Sequence, residues 1–446
     1  MEGKHFSYKN RTKVSSYGGV YTVTLFSPPQ DCGGQCIFCP KTNDFPNSYI
    51  PNASLQFAKS VNFDSAQQFK RFSKTFIKKD IRGPIPIEVI ILGGSFCSFS
   101  REFRSKYINS LYDEMCECEN STSKDRESSL YRCSILTVEA RPDQITTDEC
   151  EFLRSIGVSK VEIGVQHLKD SILTYNKRGH GSNAVRNATM LLKRYGFKVG
   201  YHIMLGLPSS SFKDDSMLLE KLLWDIDYSP DFLKIYPCVL LKDKSYQPLL
   251  HALYKETNWR PPSISYTKKL LIILANNVPS FVRISRVQRF FPQHLIQGEY
   301  QKGLRENNHA TCFCVRCREA GKLRPNIPFT KAENYKIVKT INGNDRHYEI
   351  VTQDNILLAL ARIYILDNGK ALLREIHTYG AAAQIGDYGH TQGKGLGRYL
   401  LEKIEQELSE LKCKNLYVNA AFGARSFFRS AGYKDSDLSL LCKILK

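Results

Sequence analysis

Three closely spaced cysteines, set directly after an apolar and β-branched run, constrain this chain more than any other stretch. The run covers residues 20–26, and the loop after it contains Cys32-Gly33-Gly34-Gln35-Cys36-Ile37-Phe38-Cys39-Pro40. Three thiolates can hold three irons of a four-iron cluster and leave the fourth open to a ligand, such as the amino and carboxylate groups of S-adenosylmethionine (SAM). The alternatives are structural zinc, which usually has four ligands, and three unrelated buried cysteines. The loop's place after a first strand favours the cluster.

Alternating strand and helix patterns continue from residue 20 to about residue 240. Helical patterns such as 147–155 and 184–195 separate the strand patterns. After the first strand these are 87–92, 134–139, 160–164, 198–204 and 232–236. The alternation predicts a parallel, barrel-like sheet of the α/β class, and six strands would make an incomplete TIM-type (βα)6 barrel.

Polar residues cluster where these predicted strands end, which is the edge that carries the active site in such barrels. The pair Gly93 and Gly94 can present backbone to a small polar ligand, Glu139 can bond the ribose hydroxyls of SAM, and Arg141 can bind its carboxylate. Each charged residue could instead form a salt bridge at the rim of the barrel. Further polar groups at this edge are Glu162, Gln166, His202, Lys234 and Tyr236.

The charge of the chain favours a polyanionic partner. It has 63 Lys and Arg residues against 44 Asp and Glu, a net charge of +19. An excess of this size is typical of phosphate contacts, although a soluble basic enzyme is the alternative. The polar, basic opening arm, residues 1–19, is a candidate for such contacts or a solvated terminus.

Cysteine use and hydropathy indicate a reducing, cytoplasmic location. No stretch approaches ~18 consecutive apolar residues and no secretory leader is evident, so we expect neither secretion nor a membrane. The 14 cysteines are then metal ligands or small buried residues rather than disulfides.

A second cysteine cluster lies inside an arginine-dense segment, residues 281–324. Cys312, Cys314 and Cys317 have the spacing of a zinc knuckle that lacks its fourth ligand, for which His294 and His309 are candidates. Zinc there would fix an arginine-bearing loop against nucleic acid, and either histidine could equally be a surface residue.

The segment 324–328, which contains two prolines, marks a predicted domain boundary. The sequence thus divides into the arm at 1–19, a barrel with a cysteine-rich extension at 20–325, and a second domain at 326–446. Strand-like runs in the second domain cover 335–341, 348–353, 356–365 and 372–379.

A glycine-rich turn follows those strands and opens an amphipathic helix. It reads Gln392-Gly393-Lys394-Gly395-Leu396-Gly397-Arg398, and the helix then places Leu400, Leu401, Ile404 and Leu408 on one face. Backbone N–H groups in such a turn can meet a pyrophosphate. A short strand at 415–418 and the segment 424–433 follow it.

This C-terminal pattern resembles the GNAT acetyltransferase fold, whose equivalent loop binds the pyrophosphate of acetyl-CoA. A radical SAM cluster followed by a GNAT domain resembles the catalytic subunit of Elongator and its single-chain bacterial and archaeal relatives, and the compact cysteine spacing is closer to the bacterial branch. The stretches that carry the resemblance are 32–40, 92–96, 139–143, 162–166, 178–180, 233–237, 286–289, 317–319 and 374–377.

The resemblance implies a tRNA carboxymethyluridine synthase. A SAM-derived radical would abstract hydrogen from the acetyl methyl of acetyl-CoA, the carbon radical would add to C5 of the wobble uridine, and thioester hydrolysis would leave a 5-carboxymethyl group. It implies contact with the anticodon stem-loop of tRNA, whereas accessory Elongator-type subunits are not implied. Cys32, Cys36, Cys39, Lys234 and Tyr236 would be catalytic. Acetyl-CoA would be bound by Glu375, Ile376, His377, Thr378, Gln392, Lys394, Gly395, Leu396, Gly397, Arg398 and Phe428.

The chain departs from that family at three positions. Phe427 and Phe428 stand where the family usually has tyrosines, one of which could protonate the leaving thiolate. Pro86 and Gly393 replace a usual lysine and histidine. The alternative is therefore a divergent member with impaired acetyl-CoA turnover that cleaves SAM or binds tRNA. Two further hypotheses for the function are a zinc-dependent nucleic-acid-binding module and a protein acetyltransferase.

Overall fold

The described residues form one seven-stranded β-sheet in each half of the chain, together with a small two-stranded pair. The computed structural model describes residues 19–77, 84–117, 125–127, 129–289, 291–299, 301, 303–305, 311–323, 335–380 and 395–445. Except for Gly19, the predicted basic arm lies outside the described residues, as do the predicted boundary at 325 and 326, His309, Gln392 and Lys394. That boundary therefore stays a prediction.

The N-terminal sheet is parallel throughout the described residues, in the order β1-β2-β3-β4-β5-β6-β8, while β7 and β9 form a separate antiparallel pair. The strands are β1 (Tyr21–Phe26), β2 (Ile85–Leu92), β3 (Tyr131–Ala140), β4 (Lys160–Gln166), β5 (Lys198–Leu205), β6 (Phe232–Pro237), β7 (Leu240–Leu241), β8 (Arg283–Val287) and β9 (Ile296–Gln297).

Eleven described α-helices belong to this half. They are α1 (Ala53–Ser60), α2 (Ser65–Ile77), α3 (Arg101–Glu117), α4 (Thr147–Ser155), α5 (Asp170–Tyr175), α6 (Ser182–Arg194), α7 (Phe212–Trp224), α8 (Pro248–Glu256), α9 (Ile264–Asn277), α10 (Val315–Arg318) and α11 (Ala320–Leu323). Of these, α2, α3, α4, α6, α7 and α9 pack in the core of the sheet. In β2 the alternate residues Ile85, Ile87, Val89 and Ile91 are at most 1% exposed and join the core. The other face of β2 supplies Glu88 and Ile90 to the barrel interior, as strand alternation requires.

The predicted barrel is confirmed, with one addition. All six predicted strands are present, and β8 continues the sheet parallel to β6 as a seventh described strand. The sequence Arg-Ile-Ser-Arg-Val of β8 does not read as a buried strand because two of its five residues are arginines. Arg283, whose side chain is 20% exposed, can be partly buried there because Glu319 pairs with it.

The C-terminal sheet is mixed, in the order β10-β11-β12-β13-β14-β16-β15. Its elements are β10 (Tyr335–Asn342), β11 (Asp345–Thr352), β12 (Leu357–Leu366), β13 (Lys370–Thr378), α12 (Leu396–Glu410), β14 (Asn415–Val418), α13 (Arg425–Arg429), β15 (Lys434–Asp435) and β16 (Leu441–Ile444). The predicted apolar face of α12 is confirmed, since Leu400, Leu401, Ile404 and Leu408 are fully buried against this sheet.

A buried ionic network joins the two halves. Asp231, just before β6, accepts from Arg374 at 2.9 Å and lies 3.5 Å from Arg362. Arg374 also donates to Asp345 at 2.7 Å, and Asp345 accepts from Lys193 of α6 at 2.6 Å. All five residues are at most 3% exposed.

The C-terminal half therefore packs against the amino ends of the barrel strands. Arg374 donates to the carbonyl of Phe197, just before β5, and Asn419 donates to that of Val158, just before β4. The cysteine loop lies at the opposite, carboxyl ends. None of the described helices has the length and hydropathy of a bilayer-spanning segment.

Candidate active site

The first cysteine loop brings its three thiols near one another. Cys36 is buried, and Cys32 and Cys39 are partly buried. Burial, then Cys36, then Cys32 raise the pKa of the Cys39 thiol to about 12, because neighbouring thiolates repel a further negative charge. The guanidinium of Arg178 donates to Cys36 Sγ at 3.4 Å, and Asn47 Nδ2 lies 3.9 Å from Cys32 Sγ.

The loop fits an iron–sulfur cluster. Among the described residues, the cysteines whose sulfurs all lie within 4.8 Å of one another are Cys312, Cys314 and Cys317, and that close spacing is expected around a single ion. Thiolates of a four-iron cluster each bind a different iron and so stand farther apart. A buried nitrogen of Arg141, Nη1, has no hydrogen-bond partner in the described part of the chain, and a Cβ on Gly34 would collide with it. The glycine thus leaves room for a positive charge beside the thiols.

Glu139, at the end of β3, gathers the groups expected to contact SAM. Its carboxylate accepts from the backbone N–H of Gly93 at 3.3 Å and of Gly94 at 3.4 Å. It also accepts from the Tyr49 hydroxyl at 3.0 Å. Burial and then Glu139 raise the pKa of Tyr49 well above its usual value, so the hydroxyl stays protonated and donates. The structure therefore brings the predicted glycine pair and Glu139 together.

Arg141 is held in place by a carboxylate of its own loop. Its Nε and Nη2 donate to Asp143 at 3.1 and 2.9 Å, and Nη2 also donates to the Arg178 carbonyl at 3.2 Å. The salt bridge at the barrel rim is thus present, yet it leaves Nη1 pointing into the space that Gly34 keeps open.

Glu162 is the centre of a second group of charges inside the barrel. Its carboxylate accepts from Lys234, from Lys160 at 3.2 Å and from His202 at 2.9 Å. Burial opposes ionisation of Glu162, but Lys234 and Lys160 outweigh it and hold its pKa well below the usual value. Glu162 is therefore charged, and it fixes the ammonium of the predicted catalytic residue Lys234.

Tyr236 and Gln166 complete the polar edge. The Tyr236 ring lies edge-on to the His202 ring, with centroids 5.8 Å apart. The Arg289 guanidinium carbon lies 5.5 Å from the centroid of the Tyr236 ring. Gln166 ends β4 with a φ of +65°, a backbone conformation that costs a non-glycine residue roughly 1 kcal/mol or more. Its amide approaches Gly164 rather than the carboxylate group around Glu139.

One cavity of about 390 Å³ runs through the barrel interior. At one end it is lined by Tyr49, Glu139 and Tyr236, and at the other by Glu375 and His377 of β13. Six cationic side chains face it, namely Lys160, Lys234, Arg283, Arg286, Arg289 and Arg316. The two halves of the chain thus share one polar chamber.

Strand β13 separates this chamber from the groove expected to bind acetyl-CoA. Glu375 and His377 face the chamber, whereas Ile376 packs with the core under α12. On that second side, the Cβ position of Gly397 lies 3.5 Å from the Thr378 hydroxyl. The four residues predicted to line one site therefore lie on the two faces of one strand, which is the alternation of a β-strand.

Gly395, just before α12, has a φ of +81°, and Leu396 begins the helix. Among the residues that the structure describes, none lies within 4 Å of the Cβ position of Gly395, which leaves the room that a phosphate needs. Arg398 donates to Ser430 at 2.7 Å and lies over the Phe427 ring at 5.3 Å. These positions place backbone N–H groups and one cation beside the groove.

The phenylalanine pair offers no hydroxyl to the groove. Phe428 is 4% exposed and packs in the core, with Phe427 5.1 Å away. The nearby Tyr433 is buried as well, and its hydroxyl donates to Glu405 at 2.9 Å. Phe428 therefore lies behind Phe427, which alone of the pair reaches the space beside Gly397.

The second cysteine cluster is compact. The sulfurs of Cys312, Cys314 and Cys317 lie within 4.8 Å of one another, and Arg305 Nη2 donates to the last two at 3.2 Å. Within the described residues no histidine or carboxylate joins them, and His294 is exposed.

Three residues of the site were not predicted to act there, namely Tyr49, Arg178 and Lys160. Tyr49 and Arg178 reach partners 90 and 142 residues away along the chain, so no local spacing signals them. Lys160 could have been found, because a lysine at the start of a buried strand requires a partner, here Glu88 at 3.1 Å.

Comparisons with known proteins identify both halves. The model of the radical SAM superfamily matches residues 26–222, and that of the acetyltransferase (GNAT) domain matches residues 389–441. A tRNA uridine(34) acetyltransferase of Dehalococcoides mccartyi (strain CBDB1) is 31% identical, over 93% of this chain and 96% of that protein. Elongator complex protein 3 of Homo sapiens is 26% identical, over 94% of this chain and 83% of that protein.

A solved structure agrees. The archaeal Methanocaldococcus infernus Elp3 with an N-terminal deletion (1–46) superposes with a TM-score of 0.79 at 26% identity, covering 96% of this chain and all of that one. The resemblance seen in the sequence is thereby confirmed. The chain belongs to the family of tRNA uridine(34) acetyltransferases and Elongator complex protein 3.

Proposed function

We propose that this protein modifies uridine 34 of tRNA with SAM and acetyl-CoA as co-substrates and installs a 5-carboxymethyl group. It would then be a tRNA carboxymethyluridine synthase. One observation carries the proposal: a single chamber is lined by the SAM-side residues of the barrel and by the GNAT strand β13. A reaction that joins an acetyl carbon to a base through a SAM-derived radical needs such a shared space.

The first cysteine loop would hold a four-iron cluster through Cys32, Cys36 and Cys39. When bound, the cluster supplies the electron that cleaves SAM. Glu139, Gly93 and Gly94 would orient SAM, and Arg141 Nη1 would meet its carboxylate. The 5′-deoxyadenosyl radical would take a hydrogen atom from the acetyl methyl, and the methyl carbon would bond to C5 of the uridine. The base would then lose its C5 proton and one electron, which the oxidised cluster could accept. Water would hydrolyse the thioester so that CoA leaves as the thiol.

The cations of the chamber would serve the nucleic acid. Arg286 and Arg289 line its SAM-side wall, where a base that enters brings a phosphate with it. Lys234, held by Glu162, and Tyr236 would position the uracil ring by hydrogen bonds. The net charge of +19 supports a polyanionic substrate.

We also propose that Cys312, Cys314 and Cys317 hold zinc, with a fourth ligand from outside the described residues. Convergence of three sulfurs within 4.8 Å supports this. Zinc content measured in the wild type and in Cys314→Ser tests it. If neither the wild type nor Cys314→Ser contained zinc, the cluster would instead be held by its hydrogen bonds from Arg305.

A second function has one observation in its favour. Phe428 is buried and the Tyr433 hydroxyl is engaged by Glu405, so neither gives the groove an acid for the leaving thiolate. A protein of this kind would bind acetyl-CoA and tRNA and cleave SAM while turning acetyl-CoA over slowly.

Anaerobic incubation of the iron-reconstituted chain with tRNA, SAM and acetyl-CoA labelled at the methyl carbon separates the two. We expect label in 5-carboxymethyluridine at position 34, and none with Cys36→Ala. Acetyl-CoA that binds without labelling tRNA would favour the second function. Absence of both iron and label would refute the proposed chemistry.

A further inference from the structure

Arg178 occupies an unusual place beside the cysteine loop. It lies in the turn between α5 and α6, is 6% exposed, and donates through Nη1 to Cys36 Sγ at 3.4 Å. Nη2 donates to the carbonyl of Gly164 at 2.5 Å, and no described residue bonds to the buried Nε. One end of the guanidinium is therefore fixed to the barrel and the other faces the most buried of the three thiols.

This buried cation has no carboxylate partner among the described residues. Its neighbour Arg141 pairs with Asp143, and the buried arginines of the domain interface pair with Asp231. Burying a charge without a partner is unfavourable. The group that faces Arg178 in place of a carboxylate is the sulfur of Cys36, 3.4 Å from Nη1.

The backbone on both sides fixes this contact. The N–H of Ile37, next to Cys36, donates to the Asn176 carbonyl at 3.3 Å, which ties the cysteine loop to the turn that carries Arg178. A Cβ on Gly164 would lie 2.7 Å from Arg178 Nη2, so that glycine keeps the space for the guanidinium. The geometry is therefore built into the chain.

We propose that Arg178 is a positioning residue for the iron–sulfur cluster and raises its reduction potential through Cys36. The inference rests on the cluster part of the proposed function. Reduction adds negative charge to a cluster, and a hydrogen bond and a positive charge on a ligand sulfur stabilise the reduced form more than the oxidised one. Without Arg178 the cluster is harder to reduce.

A redox titration of the reconstituted full chain, followed by electron paramagnetic resonance, tests this. We expect Arg178→Gln to lower the equilibrium constant for one-electron reduction at least tenfold, a shift of about 59 mV to more negative potential. Arg178→Lys keeps the charge but loses the fork that joins the Cys36 sulfur to the Gly164 carbonyl, so its midpoint should move in the same direction by a smaller, measurable amount. Arg154→Gln is the matched control, since Arg154 is 3% exposed and donates to the Tyr195 carbonyl instead of a sulfur.

A fully loaded Arg178→Gln protein with the wild-type midpoint overturns the inference and leaves the proposed function intact. A shift equal to that of Arg154→Gln does the same. If Arg178→Gln takes up no cluster, the midpoint of Arg178→Lys decides, because an unmoved midpoint there also overturns the inference. A wild-type chain that binds no iron refutes both.

Discussion

Replacing Asp231 with asparagine removes the negative charge on which two buried arginines converge. Burial opposes ionisation of Asp231, but Arg374 and then Arg362 outweigh it and hold its pKa below the usual range. The side chains of Asp231 and both arginines are at most 1% exposed, so solvent cannot take over the lost role. The substitution leaves buried positive charge without full compensation.

The magnitude follows from what each arginine retains. Breaking a buried ion pair costs about 3–5 kcal/mol. Arg374 keeps Asp345 at 2.7 Å and Arg362 keeps Glu375 at 2.6 Å, so the lower end applies, about 3 kcal/mol. With an unfolding entropy of about 0.9 kcal/mol/K for 446 residues, the thermal midpoint should fall by about 3 °C.

Calorimetry and urea unfolding measure this effect. Asp227→Asn is the control, because Asp227 pairs with Arg186 at 3.0 Å while both side chains are nearly half exposed, and it should change stability by under about 0.5 kcal/mol. Asp231→Asn with Arg374→Met should recover part of the loss, since the pair of changes leaves less unmatched charge. If Asp231→Asn were no more costly than Asp227→Asn, the network would not stabilise the interface.

Three further predictions concern the sites and the pH response. Cys36→Ala should abolish iron binding and SAM cleavage, measured as iron per chain and 5′-deoxyadenosine formed. Gly397→Val should weaken acetyl-CoA binding, measured by calorimetry, at least tenfold, because a branched side chain would meet Thr378 and Phe427. Gly397→Ala should bind acetyl-CoA almost normally, and Gly397→Val should still cleave SAM. Burial lowers the pKa of His347 to about 3, so the unfolded chain takes up a proton below about 6.5 and the folded chain does not. Stability should therefore fall between pH 6.5 and 3, and His347→Gln should reduce the loss at pH 4.5 by up to about 2.7 kcal/mol.

The barrel could be predicted because its strands are long apolar runs. Ile85, Ile87, Val89 and Ile91 mark β2 without help from any other part of the chain. Strand β8 could not be predicted in this way, because an arginine such as Arg283 is stable in a barrel interior only when a partner is near. That partner is Glu319, which lies 36 residues later in the chain. Local sequence carries hydropathy but not the partner that makes a buried charge tolerable.

The candidate site divides in the same way. Gly93, Gly94 and Glu139 were placed at strand ends by pattern, and the structure joins them through hydrogen bonds. Glu375 and His377 were expected beside acetyl-CoA, and alternation along β13 could show only that they share a face. This face closes the barrel chamber only because of the way the two halves pack together. The spacing of residues along the sequence does not predict that packing.

The same ionic network also determines the shape of the chamber. Arg362 donates to Glu375 at 2.6 Å and lies 3.5 Å from Asp231, so one side chain links the chamber wall to the amino end of β6. Glu375 is charged because, although burial opposes it, Arg362 and Lys198 lower its pKa. We therefore expect Asp231→Asn to loosen Arg362 and, through it, Glu375 in the chamber wall, even while both sheets stay folded. Asp231→Asn should thus impair transfer of the acetyl carbon more than SAM cleavage, whose residues lie at the opposite ends of the strands.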